Sequence, residues 1–256
     1  MAHIERLRVY PVKALEGTDV EEAQIRAGGT LAGDREYALF DDDREVINGK
    51  RTGRVNELDT VFDPDSGRII VETQTGERRE FDLDAERERA AAWLGDFFEE
   101  DVYIAHDTET GYVDRQSMGP SVISTATLET VASWFDGMTV EGARRRLRAN
   151  IEVGDVPAFW EDRFVGESAP AFVAGDVRIE GVTPCGRCVV PARDPDTGDP
   201  LPEFQERFVA NREETFPEWA DPRAFDHYYT LMLVARVPDA DRGKTLRVCD
   251  AVEVVR

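Results

Sequence analysis

The residues best suited to chemistry in this sequence are Cys185 and Cys188, which stand three positions apart around Gly186 and Arg187. Four interpretations of the pair compete. A structural zinc site would need two further ligands, but the third cysteine and the three histidines of the chain do not stand at ligand spacing. A redox dithiol would need the strand-to-helix setting of a thioredoxin, whereas the strand-like Val189-Val190 follows here.

The other two interpretations of the cysteine pair differ in the surroundings they require. Free cysteines often pack as small core residues, and spacing alone favours this interpretation. Alternatively, one thiolate is a ligand to a soft, redox-active metal, and the adjacent Arg187 and nearby Arg193 attract an anionic cofactor. Arginine so placed in an acidic chain favours the second view.

A run of arginines at 144–148, interrupted only by Leu147, is the strongest local positive charge in the chain. Guanidinium groups bind phosphate and other anions through paired hydrogen bonds, so the run is a candidate anion site. The alternative is an ordinary solvated helix face. Because successive helix positions point in different directions, we expect at least one of these arginines to face inward.

Two short motifs in the first part of the chain carry further positive charge. Lys13 ends the sequence Tyr-Pro-Val-Lys, and it is one of three lysines in a chain that otherwise uses arginine. Arg35 ends the sequence Gly-Asp-Arg. Alone, Lys13 is equally an ordinary strand-end lysine and Asp34-Arg35 an ordinary loop ion pair.

The elements that must position these residues follow from the periodicity of the sequence. Alternating apolar residues and turn-forming segments predict strands, and apolar residues at helical spacing predict helices, the first of them capped by Asp84. The expected strands are 3–10, 34–40, 68–73, 78–83, 172–173, 177–179, 189–190, 231–237 and 252–255, and the expected helices follow Asp84 and span 124–135, 139–148 and 202–212. The chain is therefore predicted to be mainly β with helices, with domains at 1–105 and 106–256.

Composition narrows the class of partner. The formal net charge is −22, which disfavours nucleic acid and anionic membranes because both would repel the chain. The first 20 residues lack the apolar stretch of a signal peptide, and no long apolar run follows, so we expect a cytoplasmic protein without a membrane anchor. The excess of acidic residues together with the scarcity of lysine suggests a salt-loving host.

As a set, these motifs resemble the MOSC family, specifically the members with an N-terminal β-barrel domain, such as the mitochondrial amidoxime-reducing component family. The resemblance runs through Tyr10-Pro11-Val12-Lys13, Gly33-Asp34-Arg35, Arg148-Ala149-Asn150, the cysteine segment 184–188 and Asp194-Pro195-Asp196-Thr197-Gly198. It implies an N-terminal β-barrel domain followed by a MOSC β-barrel domain, and it implies the molybdenum cofactor.

The resemblance also assigns roles to residues. It implies that Cys188 binds molybdenum, that Lys13 and Arg35 contact the pterin phosphate, and that Arg148 and Asn150 hold the cofactor from the second domain. Asp114 is a looser match, as a catalytic proton carrier. At the cysteine segment itself, Gly186 would contribute backbone hydrogen bonds and Arg187 positive charge to cofactor binding.

The implied activity is reduction of N-hydroxylated or N-oxide small molecules at the cysteine-ligated molybdenum. The chain has no cysteine cluster for an iron–sulfur group, so a separate ferredoxin- or flavoprotein-like donor must supply electrons. A non-catalytic carrier of molybdenum cofactor or sulfur would use the same residues. A pyridoxal-phosphate desulfurase is disfavoured, because none of the three lysines stands in a recognisable cofactor setting.

Overall fold

The structure is a computed structural model that describes residues 1–64, 66–115 and 118–256. In chain order its strands are β1 (His3–Val9), β2 (Thr18–Val20), β3 (Glu22–Gln24), β4 (Tyr37–Phe40), β5 (Leu58–Asp63), β6 (Arg68–Thr73), β7 (Arg78–Asp82), β8 (Tyr103–His106), β9 (Ser121–Ser124), β10 (Ile151–Gly154), β11 (Ala171–Ala174), β12 (Val177–Gly186), β13 (Thr230–Arg236), β14 (Thr245–Arg247) and β15 (Val252–Val255). The α-helices are α1 (Arg87–Phe98), α2 (Thr125–Ser133), α3 (Val140–Leu147) and α4 (Phe204–Glu214).

The largest sheet among the described residues contains strands from both ends of the chain. Its eight strands lie in the order β15-β11-β12-β13-β9-β10-β1-β2. The strand β1 pairs antiparallel with β10, with Leu7 opposite Ile151, and the amide of Arg8 donates to the carbonyl of Asn150 at 2.8 Å. The residues that follow β1 therefore lie beside the residues that precede β10. This pairing brings the Tyr-Pro-Val-Lys motif next to the Arg-Ala-Asn motif.

A second, smaller β unit carries the Gly-Asp-Arg motif and the loop before a 3-10 turn at Gly53–Glu57. Here β5, β6 and β7 form an antiparallel sheet and β4 pairs with β8, while α1 covers the same core. The core includes Phe81 and Leu94, and full burial of one such side chain stabilises the fold by roughly 1.5–3 kcal/mol. The amphipathic period that predicted this helix reflects that buried face.

Helix ends in the second half follow from capping. The hydroxyl of Ser124 accepts a hydrogen bond from the amide of Thr127 at 3.1 Å, and the hydroxyl of Thr139 accepts from Gly142 at 2.9 Å. Both caps begin their helices where the sequence predicted. The helix α3 ends at Leu147 because Arg148 adopts a left-handed conformation with φ 61°. Among the described residues, no helix is long and apolar enough to cross a bilayer.

The mixed fold of strands and helices is confirmed, with two local corrections. The predicted strand at Val189-Val190 is wrong, because a short 3-10 turn begins at Val190 and Pro191 cannot donate to a strand ladder. Asp84 is not the cap of α1, since Glu86 occupies that position. The predicted domain boundary near residue 105 stays a prediction, while β1 lies in the large sheet with the later strands.

Candidate functional site

A cleft of about 470 Å³ lies where the residues singled out by the sequence meet. Residues before 60 and after 110 both line it. Its lining includes every predicted site residue: Lys13, Arg35, Asp114, Arg148, Asn150, Gly186, Arg187 and Cys188. A wider groove of about 1470 Å³ along α1 has eight acidic residues in its lining and includes none of these residues. We therefore take the smaller cleft as the candidate site.

Two arginines of the cleft contact the ring of Tyr10. The guanidinium carbon of Arg148 is 4.1 Å from the centre of its ring and that of Arg35 is 4.9 Å away. The Tyr10 hydroxyl donates to the carbonyl of Ala149 at 3.2 Å, and the residue is buried. Burial raises the pKa of Tyr10, so the phenol stays neutral. The neutral ring thus makes a cation–π contact with each of the two guanidinium groups.

Arg35 is fixed by the turn that contains it. Asp34, also buried, accepts from the amide of Tyr10 at 2.9 Å and forms an ion pair with the Arg35 guanidinium. Arg35 itself has φ 55°, and its amide donates to the carbonyl of Tyr10 at 2.7 Å. Burial alone lowers the pKa of Arg35, but the Asp34 carboxylate outweighs burial and the pKa is raised. Arg35 therefore keeps its charge.

Arg148 has a different environment. Its guanidinium donates to the carbonyl of Leu15 at 2.7 Å, and it has no ion-pair partner among the described residues. Burial lowers the pKa of Arg148, and the nearby charge of Arg35 adds to that effect. A largely buried cation without a carboxylate is costly unless an anion compensates it. This residue is the clearest sign that the cleft binds an anion.

The other arginines of the 144–148 run are paired within the protein. Arg144 binds Glu152 through two hydrogen bonds of 2.7 and 2.9 Å, Arg145 binds Glu16 at 2.8 Å, and Arg146 pairs with Asp194 at 3.2 Å. These carboxylates satisfy the charges of the helix. Because α3 ends before Arg148, that guanidinium turns away from the paired ones. Of the four arginines in the run, only Arg148 is therefore left as a candidate to bind an anion.

Lys13 and Asp114 form an ion pair on the side of the cleft that belongs to the first half of the chain. The Lys13 ammonium donates to the carbonyl of Tyr112 at 2.7 Å and to Asp114 Oδ1 at 2.6 Å. The ammonium of Lys50 lies 3.6 Å from Asp114 Oδ2. Burial opposes ionisation of Asp114, but the hydrogen bond and charge of Lys13 outweigh it and lower the pKa of this carboxyl. Asp114 is therefore a carboxylate at neutral pH.

The two cysteines have different contacts. Both are free thiols that are partly buried. The Arg187 guanidinium donates to the sulfur of Cys185 at 3.3 Å and to the carbonyl of Leu147 at 3.1 Å, while its buried Nε has no partner. Cys185 also packs against the aromatic core, as the core interpretation expected for the pair. Cys188 lines the cleft, and its sulfur makes no hydrogen bond to a described residue.

Asn150 and Gly186 complete the predicted set. The Asn150 side chain accepts from the amide and hydroxyl of Ser121 at 3.1 and 3.0 Å and donates to the carbonyl of Arg8 at 3.1 Å. These bonds cross-link β1, β9 and β10 and use most of its hydrogen-bonding capacity. Its role in holding a cofactor stays a prediction. At Gly186, a Cβ would make an ordinary van der Waals contact with His227, about 3.9 Å away.

The residues of the cleft fit the cofactor that the family resemblance implies. The pterin cofactor is anionic and its metal takes a soft sulfur ligand. The cleft offers Arg148 without a carboxylate partner, Arg187 with an unpartnered buried Nε, and the free thiol of Cys188. Sequence reasoning missed Tyr10 as the residue that links two of the arginines, although it immediately precedes the Pro-Val-Lys segment.

Comparison with family models divides the chain into two overlapping matches. Residues 1–138 match the MOSC N-terminal beta barrel domain, and residues 117–252 match the MOSC domain. Each match covers more than half of the chain, and both include parts of the cleft. The residues from Lys13 to Asp114 lie in the first match, and those from Arg148 to Cys188 lie in the second.

Individual relatives are distant. Mitochondrial amidoxime reducing component 2 of Macaca fascicularis is 25% identical over 231 residues, which covers 76% of this chain and 68% of that protein. Molybdenum cofactor sulfurase of Oryza sativa subsp. japonica is 29% identical over 73 residues, or 28% of this chain and 9% of that protein. Among solved structures, the YuaD protein from Bacillus subtilis is similar over 99% of this chain with a TM-score of 0.41 and 12% identity.

Proposed function

Because the chain belongs to the MOSC family, with a MOSC N-terminal beta barrel domain and a MOSC domain, we propose that it is a molybdenum-cofactor-dependent oxidoreductase. Its substrates are N-hydroxylated or N-oxide small molecules, as the name of the macaque relative suggests for amidoximes. The observation that carries the proposal is that the Cys188 thiol and the unpaired Arg148 line the same cleft.

Three cations are placed to hold the anionic end of the cofactor. Arg35 and Arg148 both contact the ring of Tyr10, and Lys13 lines the same cleft with its ammonium bound to Asp114. Charge-assisted hydrogen bonds from such groups to a phosphate are about twice as strong as neutral ones. Arg187, held by the carbonyl of Leu147, adds positive charge next to the cysteine segment.

Cys188 is the proposed metal ligand. This residue lines the cleft and its thiol is free, whereas the sulfur of Cys185 already accepts a hydrogen bond from Arg187. The carbonyl of Cys188 accepts from the Tyr229 hydroxyl at 3.1 Å, which fixes the backbone that presents the thiol. When bound, the cofactor supplies a metal that exchanges two electrons with the substrate.

Asp114 is the proposed proton carrier. Reduction of an N-hydroxy group to an amine consumes two electrons and two protons and releases one water, so protons must reach the cleft. The Asp114 side chain is 64% exposed and touches Lys13 through Oδ1. It therefore connects solvent to a proton-bearing ammonium inside the cleft. The electrons come from a separate ferredoxin- or flavoprotein-like donor, since no redox cluster motif occurs in the sequence.

The test is turnover of benzamidoxime by protein produced with the cofactor, with reduced methyl viologen as electron donor. Wild type is expected to contain molybdenum and to form benzamidine. Cys188→Ala should lose the metal and the activity, and Cys185→Ala is the matched control that should keep the metal. Full metal content in Cys188→Ala would contradict the assigned ligand. A wild type with full metal content but no turnover would contradict the oxidoreductase.

A cofactor or sulfur carrier is the second candidate, and the similarity to part of molybdenum cofactor sulfurase favours it. Its distinguishing property is transfer. Loaded protein would then pass its cofactor to a cofactor-free molybdoenzyme and restore that enzyme, without reducing benzamidoxime itself. The same preparation thus separates the two functions.

A further inference from the structure

One arginine of the cleft is not needed for the cofactor contacts described above. Arg193 follows Cys188 by five residues, and its Nε and Nη1 donate to the carbonyls of Gly49 at 2.9 Å and Gly198 at 3.1 Å. Its Nη2 makes no hydrogen bond to a described residue, and the group has no ion-pair partner within the described chain. Backbone carbonyls fix the guanidinium without neutralising its charge.

Lys50 extends from the same loop that Arg193 contacts. The preceding residue, Gly49, accepts the hydrogen bond from Arg193 through its backbone carbonyl. Lys50 and Arg193 therefore line the same wall of the cleft. The Lys50 side chain is 53% exposed, and its ammonium is 3.6 Å from Asp114, beyond direct hydrogen-bonding distance. Lys50 therefore lies nearer to solvent than Lys13, whose side chain is 16% exposed.

The charge of the cleft exceeds what the proposed cofactor contacts use. Nine lysines and arginines line it against three carboxylates, in a chain whose formal net charge is −22. Arg145 and Arg146 are paired with carboxylates, and four other cations are assigned to the cofactor. Three cations remain, Lys50, Arg115 and Arg193. Lys50 and Arg193 meet at the Gly49 loop and are called the outer cations here. Lys50 has only the exposed Asp114 carboxylate beside it, at 3.6 Å, and Arg193 has no ion-pair partner among the described residues.

We propose that Lys50 and Arg193 bind a carboxylate of the substrate, so that the preferred substrates are N-oxygenated compounds that also carry a carboxylate. This inference rests on the proposed function and specifies its substrate class. The position suits the role, because the loop at Gly49 packs closely against Val190, which stands two residues after Cys188. A Cβ added to Gly49 would lie 3.3 Å from the Val190 side chain. A substrate anchored there has its anionic end at the outer cations and its remaining part next to the cysteine segment.

The test compares binding of benzamidoxime and 4-carboxybenzamidoxime, which differ by the carboxylate. Calorimetry on cofactor-loaded protein without an electron donor measures both dissociation constants without turnover. Charge-assisted hydrogen bonds are about twice as strong as neutral ones, so the carboxylate should tighten binding about tenfold or more. Arg193→Gln and Lys50→Gln should each bring the ratio of the two constants towards one.

Arg163→Gln is the matched control. Arg163 also has no ion-pair partner in the described chain, but it lies between Trp160 and Trp219 away from the cleft lining. This variant removes the same charge from the molecule and should keep the wild-type ratio. A thermal melt of each variant shows whether it is folded, and Lys50→Gln provides the test if Arg193→Gln is not.

Equal binding of the two compounds by wild type would overturn the proposal, as would a preference that persists when both Lys50 and Arg193 are replaced. Failure of the proposed function gives a different result. In that case neither compound is reduced when electrons are supplied, while the difference in their binding constants still reports on the outer cations.

Discussion

The guanidinium of Arg148 lies 4.1 Å from the ring centre of Tyr10, and that of Arg35 lies 4.9 Å from the same ring centre. Arg148 follows helix α3, whereas Arg35 belongs to the smaller β unit. Two like charges near each other repel, and each contact with the face of an aromatic ring returns about 0.5–2 kcal/mol. The buried tyrosine therefore connects the parts of the anion site that come from distant segments of the chain.

Replacing Tyr10 should weaken the anion site without touching an anion-binding group. Tyr10→Leu removes both ring contacts, and we expect about tenfold weaker retention of the cofactor, which corresponds to about 1.4 kcal/mol. Molybdenum and pterin retained after dialysis are the measurements.

Tyr10→Phe is the matched control, because it keeps the ring and removes only the hydroxyl that donates to Ala149. It should retain more cofactor than Tyr10→Leu. Thermal melts of both variants separate loss of the site from loss of the fold. Equal cofactor retention by wild type and a folded Tyr10→Leu would show that the ring does not position the arginines.

Replacing Asp114 should have opposite effects on chemistry and on binding. Asp114→Asn removes the proposed proton carrier, so the turnover number should fall by about 100-fold. The same change frees Lys13 from its carboxylate partner, so cofactor retention should stay the same or increase. Turnover and metal content are measured on one preparation. An unchanged turnover number at full metal content would remove Asp114 from the mechanism.

The pH dependence of turnover also bears on Asp114. The Lys13 contact lowers the pKa of this carboxyl, so it stays ionised throughout the neutral range and takes up protons only transiently. Asp114 should therefore contribute no inflection to the wild-type profile between pH 6 and pH 8. The profile of Asp114→Asn should differ in height and not in shape over that range.

The sequence predicted that Lys13, Arg35, Arg148 and Cys188 belong to one site, and all four line one cleft, while their roles in binding a cofactor stay predictions. It could not predict which arginine of the 144–148 run is free. That depends on carboxylates far away in the chain, such as Glu16, which lies 2.8 Å from Arg145. Likewise, Arg187 stands between the two cysteines in the sequence, but the sequence does not show that its side chain contacts Cys185. The direction of a side chain depends on its local backbone.

The secondary structure shows the same limit. Long periodic segments such as α2 were predictable from their apolar spacing and their capping residues. The short strands β2 and β3 have three residues each, which is too short for a period to be recognised. Pairing with other strands stabilises them: β2 pairs with β1, and β3 pairs with β14 from the far end of the chain. Tertiary contacts, and not local preference, define such elements.

A buried acidic pair outside the cleft predicts a pH effect on stability. Glu161 and Asp162 are both almost fully buried, and Asp162 forms an ion pair with the fully buried Arg212. Glu161 Oε2 accepts from the amide of Ser124 at 3.3 Å, while Oε1 has no partner. Burial, with the charge of Asp162, raises the pKa of Glu161 to about 8. Glu161 is thus protonated in the native state at neutral pH.

The sign of the effect follows from proton binding. Between the ordinary pKa of 4.5 and about 8, the unfolded chain has lost the Glu161 proton and the native chain has kept it. The stability associated with this group is therefore fully present below pH 4.5 and is lost as the pH rises towards 8. Glu161→Gln should remove this pH-dependent loss of stability.

Chemical denaturation from pH 5 to pH 8 measures this contribution as the difference between wild type and variant. The unfolding free energy of wild type should fall relative to Glu161→Gln by up to about 1.4 kcal/mol per pH unit. Glu129→Gln, at an exposed position of α2, is the matched control and should run parallel to wild type. Parallel curves for Glu161→Gln would mean that Glu161 is ionised in the native state.

The acidic composition predicts that salt stabilises the fold. A net charge of −22 favours expansion of the chain at low ionic strength, and ions screen charges that lie more than about 10 Å apart at 0.1 M salt. Surface ion pairs oppose this trend, because screening weakens them too, but each contributes only about 0–1 kcal/mol. We expect repulsion to dominate, so that the melting temperature rises from low to molar KCl.

Two exposed carboxylates in the groove along α1, Asp96 and Asp101, allow a test of the cause. Neither has an ion-pair partner among the described residues, so replacing both by asparagine removes repulsion without breaking an ion pair. The double variant should melt above wild type at low salt, and the two should converge in molar KCl. A wild-type protein that is no less stable at low salt would show that the acidic surface is not an adaptation to a salt-rich cell.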